Sequence, residues 1–99
     1  MTLEDVTTKF AANDVVIAGK RIRFDFAGDG VLMLDGVTGS VSNESAPADL
    51  AVAMNLADLL AIRERTLDPM AAYFSGRIRL DGDIMLAMRL RELTEKLDR

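Results

Sequence analysis

The sequence predicts an α+β fold in which helices pack on one face of a sheet. Apolar and polar residues alternate over 21–26 and again over 77–80, as they do in a strand that is covered on one face. Apolar residues recur at helical spacing over 3–12 and 84–97. Because 99 residues are enough for one hydrophobic core, we expect a single domain over 1–99.

The chain begins with a predicted helix. Thr2 followed by Asp5 has the pattern of a capping box, and the apolar spacing continues the helix to about Ala12. Residues 15–17 could be a further helical turn or a short extended lead-in to the first strand, since three residues are too few for periodicity to decide.

Four strands are predicted next. The alternation of 21–26 resumes at 31–34 after two closely spaced glycines, which predicts a hairpin with a flexible loop. Residues 37–42 form a weaker third strand, placed at an edge because its side chains are small and polar. Residues 49–54 alternate large with small side chains and form the fourth strand.

Two helices follow the fourth strand. Asn55 can cap a helix that runs through about Arg65. Asp68 can cap a shorter one, with Pro69 at its first position, where the missing N–H costs nothing. The apolar face of this shorter helix, which we expect to be buried, holds Met70, Tyr73 and Phe74.

The last strand and the last helix complete the chain. Residues 77–80 form the strand, and 81–82 are expected to turn the chain. Asp83 is placed to cap the longest helix, predicted over 84–97. Its first half is apolar on nearly all sides through Ile84, Met85, Ala87 and Met88.

The composition excludes several classes of function. Cysteine, histidine and tryptophan are absent, which removes thiol chemistry, imidazole catalysis and zinc sites built on cysteine or histidine, so we expect no enzyme, no cofactor and no metal. The net charge of −4 argues against nucleic-acid partners. No apolar run is long enough to span a membrane, and the first residues are acidic rather than basic, so we expect a cytoplasmic protein without stable membrane insertion.

From residue 22 onward the chain resembles the sterol carrier protein 2 domain family. The order and spacing of several pieces carry this resemblance: 21–26 with the glycine hairpin, 48–60, 67–69 and 73–83. The resemblance implies a five-stranded mixed sheet with helices over one face. It also implies a lipid-sized apolar cavity between the sheet and the helices, closed in part by the last helix. Members of this family bind fatty acids, acyl-CoA, sterols or other lipids without transforming them.

Two departures from the family pattern stand out. The family pattern leads us to expect a glycine just ahead of the Leu67-Asp68-Pro69 segment, and this chain has Arg65 and Thr66 there, so the turn is expected to differ. The helical part at the amino terminus is also short, which bears on the size and closure of the cavity.

The hypothesis that follows is a non-catalytic carrier of a long-chain lipid. The residues expected to line its cavity are Phe24, Phe26, Leu32, Met54, Leu60, Met70, Phe74, Ile84, Met85 and Met88. The alternative is an accessory subunit that forms a homodimer or joins an enzyme of lipid or quinone metabolism through the apolar start of the last helix. Taken alone, the methionines are better explained as flexible core filling than as the lining of a lipid cavity.

Four arginines fall on outward positions of two predicted strands: Arg21, Arg23, Arg77 and Arg79. The simpler interpretation is a solvated face balanced by nearby carboxylates. The alternative is a surface that binds anionic headgroups or an acyl-CoA phosphate.

Overall fold

The computed structural model describes residues 1–13, 15–89 and 92. The helices and strands are α1 (Leu3–Ala12), β1 (Arg21–Asp25), β2 (Val31–Asp35), β3 (Ser40–Ser42), β4 (Leu50–Ala53), α2 (Leu56–Arg63), α3 (Pro69–Phe74), β5 (Arg79–Gly82) and α4 (Ile84–Ala87). A short 3₁₀ turn, Ala27–Asp29, joins β1 to β2. The α+β prediction is confirmed.

The five strands form one mixed sheet in the order β3-β2-β1-β4-β5. The central pair, β1 and β4, is parallel, and each of the other neighbouring pairs is antiparallel. β3 lies at an edge, as its small polar side chains predicted. The mixed five-stranded sheet of the sequence-based prediction is therefore confirmed.

The hydrophobic core lies between one face of the sheet and the helices. Alternate residues of β1 and β4 point into it, as the two-residue period of a strand requires. Val6 and Phe10 of α1 and Leu59 of α2 join the same cluster and are almost completely buried. The helices therefore cover one face, as predicted.

The opposite face of the sheet is partly covered by the segment 43–49. This segment leaves the edge strand β3 and reaches β4 on the far side of β1. Arg23, which points away from the core, donates from Nη1 to the carbonyl oxygen of Ala46 at 2.8 Å. Met33, opposite Arg23 in the register, is only 3% exposed. The face on which the arginines lie is thus not simply an open, solvated surface.

Three helix starts have the predicted caps, and one of them is Asp68, whose carboxylate accepts from the Ala71 N–H of α3 at 3.4 Å. The Thr2 hydroxyl accepts from the Asp5 N–H at 3.2 Å, and the Asp5 carboxylate accepts from the Thr2 N–H at 2.9 Å, which completes the capping box. Asp83 caps α4 by accepting from the Met85 N–H at 3.0 Å. These side chains satisfy donors that the first turn of a helix leaves without partners.

The last strand differs from the prediction. It begins at Arg79 rather than at residue 77, because the N–H groups of Arg77 and Ile78 are bonded to the Ala72 carbonyl at the end of α3. The predicted turn at 81–82 is wrong, since both residues pair with β4. The strand is therefore displaced by two residues.

Several other boundaries are shorter than predicted. β3 does not include Val37 and Thr38, because their N–H groups bond the Asp35 carboxylate at 2.9 and 3.1 Å and form a turn. Residues 15–17 belong to neither a helix nor a strand. α4 ends at Ala87, and positions 90, 91 and 93–97 of the predicted long helix lie outside the described residues.

Candidate functional site

The ten predicted lining residues fall into two groups. The buried group forms part of the core and comprises Phe24, Phe26, Leu32 and Met54, with Leu60 packed against it. The exposed group lies on α3 and at α4 and comprises Met70, Phe74, Ile84, Met85 and Met88. The structure therefore brings together half of the predicted set and leaves the other half facing solvent.

The buried group is tightly enclosed. Phe24 and Phe26 lie one pleat apart on β1 and at its end, with their rings stacked at a centroid distance of 5.7 Å. Phe26 and Leu32 are 0% exposed, so no water-sized space borders them. A lipid chain can reach these side chains only if the helices move away from the sheet. The lining prediction stays a prediction.

The prediction that α3 buries its large apolar side chains is wrong. Phe74 is 77% exposed, Met70 is 59% exposed, and the residue that α3 buries is Ala72. The small Ala72 side chain allows close approach to the core, and in a six-residue helix the larger side chains then point away from it. Only a small contact holds α3 to the core.

α4 repeats this arrangement. Leu86 is its buried residue, whereas Met85 and Met88 are 72% and 76% exposed. Long apolar side chains that stay in water are a common sign of a binding surface when they lie close together. We call these residues the exposed apolar side chains of α3 and α4.

A groove of about 340 Å³ opens at the carboxyl ends of the parallel strands β1 and β4. Its lining residues are Asp25, Ala27, Ala53, Met54, Asn55, Gly76, Arg77 and Arg79. The predicted lining residue Met54 takes part in it, and sequence reasoning did not identify the rest as one site. The available signal in the sequence was the close spacing of two arginines, Arg77 and Arg79.

Only two of the four arginines have side-chain partners among the described residues. Arg21 Nε lies 3.1 Å from Asp35 Oδ2, and Arg23 Nε lies 3.2 Å from Asp25 Oδ2. Within the described part of the chain, the side chains of Arg77 and Arg79 form neither a hydrogen bond nor an ion pair. The structure therefore separates two paired arginines from two that border the groove.

Asp35 is the clearest electrostatic feature of the paired side. Its pKa lies below the usual value of 3.8, chiefly because its carboxylate accepts the Thr38 N–H, and further because of the Val37 N–H and the Arg21 guanidinium. Arg21 and Asp35 therefore form part of one hydrogen-bonded network with the 37–38 backbone.

The cap of α2 is also different from the prediction. Asn55 occupies the residue before the helix, but its side chain makes no cap hydrogen bond. The carbonyl of Asn55 accepts the Asp58 and Leu59 N–H groups at 3.1 and 3.3 Å. Its carboxamide is left at the border of the groove.

The turn between α2 and α3 has the conformation that glycine favours, although no glycine is present. Arg65 adopts a positive φ of 64°, in the left-handed region. The departure from the family pattern at this position is therefore one of residue type, and Arg65 accommodates the conformation.

The described residues contain no helix that is both long and apolar enough to cross a bilayer. They also contain no group of three or more acidic, cysteine or histidine residues arranged to hold a metal ion.

Known structures share this fold. The solution structure of sterol carrier protein 2 from Aedes aegypti in complex with palmitate matches 97% of this chain and 98% of its own, with a TM-score of 0.76 and 17% identity. The solution structure of palmitated SCP2L2 from the same organism matches 96% of both chains, with a TM-score of 0.68 and 26% identity.

The sequence comparisons agree with the structural ones. Sterol carrier protein 2 of Bos taurus is 38% identical over 51 residues, which make up 52% of this chain and 9% of that protein. The chain spans about one tenth of the length of the curated relatives that it matches. The model of the SCP-2 sterol transfer family matches residues 8–95. The chain therefore belongs to the SCP-2 sterol transfer family.

Proposed function

We propose that this protein is a non-catalytic carrier that binds one long-chain lipid between its sheet and its helices. One observation carries the proposal: the chain matches the palmitated SCP2L2 structure over 96% of both chains at 26% identity. The ligand class is a fatty acid, an acyl-CoA or a sterol-like lipid. We place the carrier in the cytoplasm.

Entry of the lipid requires a movement of the helical layer. The contacts of α3 and α4 with the core depend on Ala72 and Leu86, whereas most of their large apolar side chains are in water. Separating two such short helices from the sheet exposes little apolar area, and an inserted acyl chain covers that area again. In this mechanism Met70, Phe74 and Met85 turn inward and cover the ligand. Binding is then driven by apolar area removed from water, at about 25 cal/mol per Å².

The chemistry of the side chains supports carriage rather than catalysis. The chain has no cysteine and no histidine, so Tyr73 on α3 and Ser75 just after it have no imidazole to activate them. Ser75 Oγ instead donates its proton to the Ala72 carbonyl oxygen at 3.1 Å, a hydrogen bond at the end of α3.

Direct binding tests this proposal. The purified protein is titrated with palmitate, and binding is followed by displacement of a fluorescent fatty acid and by native mass spectrometry. We expect one palmitate per chain at micromolar concentration. Phe74→Ser should weaken binding, whereas Val37→Ser, which changes another exposed apolar side chain outside α3 and α4, should not. Failure of palmitate to bind the unaltered protein at micromolar concentration contradicts the proposal.

A second function is favoured by the exposure of the α4 region. Ile84, Met85 and Met88 are more than half exposed, and such a surface also suits a homodimer or an enzyme partner of lipid or quinone metabolism. Under this alternative, Met88→Glu lowers the mass measured by light scattering, whereas Val37→Glu leaves it unchanged. An unchanged mass together with lost palmitate binding in Met88→Glu favours the carrier.

A further inference from the structure

We propose that the groove at the carboxyl ends of β1 and β4 binds the anionic end of the lipid, with Arg77 and Arg79 as the residues that contact the charge. This inference rests on the proposed carrier function and adds a headgroup preference to it. The shared chemistry is an anion at one end of a long apolar chain, either a carboxylate or a phosphate.

The groove exists because a small residue lies between two long ones. Asp25, Ala53 and Arg79 are direct neighbours across β1, β4 and β5. Since adjacent strands are about 4.8 Å apart, the backbones of Asp25 and Arg79 are separated by about 10 Å. The methyl group of Ala53 fills little of the space between their side chains, and this leaves room for a ligand group.

The charges around the groove leave two guanidinium groups available. The Asp25 carboxylate is already bonded to Arg23 Nε at 3.2 Å. Arg77 and Arg79 have no acidic partner among the described residues, in contrast to Arg21 with Asp35 and Arg23 with Asp25. Guanidinium groups bind carboxylate and phosphate oxygens through two parallel N–H donors, which makes arginine well suited to such ligands.

Asn55 supplies a further donor at the same place. Its carboxamide borders the groove and makes no hydrogen bond to the helix that it precedes. A ligand oxygen held by the arginines can accept from this amide. Asn55 thus contributes a neutral donor, which lowers the cost of taking the anion partly out of water.

The groove meets the core at the end of β4, where Met54 follows the outward-facing Ala53. Met54 lines the groove, is only 7% exposed and belongs to the same buried cluster as Phe24 and Phe26. Its unbranched side chain has three rotatable bonds and can move without displacing the backbone. An anion bound by Arg77 and Arg79 would therefore place the start of its apolar chain beside the core.

The test compares ligands that differ in their headgroup. Palmitate, hexadecanol and palmitoyl-CoA are titrated into the full chain, into the double variant Arg77→Gln/Arg79→Gln, and into the control Lys9→Gln/Arg65→Gln, which removes the same charge elsewhere. Circular dichroism and urea unfolding establish that each variant is folded. The unaltered protein should bind palmitate about tenfold more tightly than hexadecanol, because a charged hydrogen bond is roughly twice as strong as a neutral one.

The outcomes are distinct. We expect the double variant to bind palmitate about tenfold more weakly and to bind hexadecanol as tightly as the unaltered protein does. The control variant should bind both lipids as the unaltered protein does. If the double variant loses affinity only for palmitoyl-CoA, the groove binds the phosphate of acyl-CoA rather than the carboxylate of a fatty acid. Unchanged affinity of the double variant for both anionic lipids overturns the inference and leaves the carrier function intact. No binding of any of the three lipids to the unaltered protein overturns the carrier function and the inference with it.

Discussion

Arg23 connects the middle of the sheet to the segment that crosses it, through the 2.8 Å hydrogen bond from Nη1 to the carbonyl oxygen of Ala46. Met33, which is opposite Arg23 in the register, is only 3% exposed. Arg23→Ala should therefore increase amide hydrogen exchange over 43–48 and destabilise the protein by about 1 kcal/mol, the typical net contribution of a hydrogen bond that is partly exposed to water.

Arg79→Ala is the matched control for that change. Arg79 lies on the same face of the sheet, and its side chain makes no hydrogen bond within the described part of the chain. Its removal should leave exchange over 43–48 and the urea midpoint nearly unchanged. Equal effects of both variants would show that Arg23 does not hold the segment.

Arg65 offers a stabilising substitution. A left-handed conformation costs a non-glycine residue about 1–2 kcal/mol, and Arg65 has a φ of 64°. Arg65→Gly removes this strain but adds freedom to the unfolded chain, so we expect a net gain of about 0.5 kcal/mol in the free energy of unfolding. Thr66→Gly is the comparison and should destabilise, because it removes the Thr66 hydroxyl that donates to the Ala61 carbonyl. A loss of stability in Arg65→Gly would contradict the strain argument.

The first strand and the start of α4 could be predicted because local chemistry decides them. The alternation over 21–26 predicted β1, and Asp83 predicted the start of α4, since a side-chain acceptor is needed there whatever the tertiary contacts. The direction of α3 could not be predicted. Helical spacing shows that Met70 and Phe74 share a side of the helix, but Ala72, which is smaller, decides which side meets the core.

The groove shows a different limit of sequence reasoning. Its members Asp25, Ala53 and Arg79 meet only through the register of three strands, and β5 is displaced by two residues from the prediction. With the strand at 77–80, Arg77 and Arg79 were expected on one open face together with Arg21 and Arg23. The hydrogen bonds from the 77–78 backbone to the Ala72 carbonyl belong to the local end of α3 at Gly76, which has a φ of 82°, and the alternation over 77–80 does not reveal them.

Gly36 lies too close to Ile17 for any side chain to fit. A Cβ atom at Gly36 would overlap the Ile17 carbonyl oxygen and lie 2.7 Å from the Lys20 carbonyl oxygen. Because these are backbone atoms in a turn held by the 2.8 Å bond from the Gly36 N–H to Lys20, they cannot move freely. Gly36→Ala should destabilise by about 3 kcal/mol in urea unfolding.

Gly28→Ala is the control for the change at Gly36. Nothing lies within 4 Å of a Cβ atom at Gly28, so its replacement should change the free energy of unfolding by less than about 0.5 kcal/mol. A similar loss of unfolding free energy in both variants would show that replacing glycine is destabilising by itself and that the contact with Ile17 is not the cause.

The Asp35 carboxylate should make stability depend on pH in acid. Its pKa is lowered in the folded protein, first by the Thr38 N–H, so its contribution is complete above the ordinary value of 3.8 and is lost as the pH falls through the lower folded pKa. Asp35→Asn should therefore reduce the fall in the urea midpoint between pH 5 and pH 2. Asp29→Asn, in the loop between β1 and β2, should leave this slope unchanged. The slope will not vanish in Asp35→Asn, because the pKa of Asp5 is lowered as well by its bonds to Thr2.

The length of the lipid chain should control affinity if the ligand enters between the sheet and the helices. Each CH₂ group removed from water contributes about 0.8 kcal/mol, so four fewer carbons weaken binding by about 3 kcal/mol, or about two hundredfold. We expect this ratio between palmitate and laurate in competition with a fluorescent fatty acid. Met54→Ala should reduce the affinity for palmitate more than the affinity for laurate only if Met54 contacts the far end of the acyl chain. If Met54 lies beside the headgroup, as the groove implies, Met54→Ala should lower both affinities by the same factor. Equal affinity of the unaltered protein for palmitate and laurate would mean that the chain stays in solvent, with only its first carbons held by the protein.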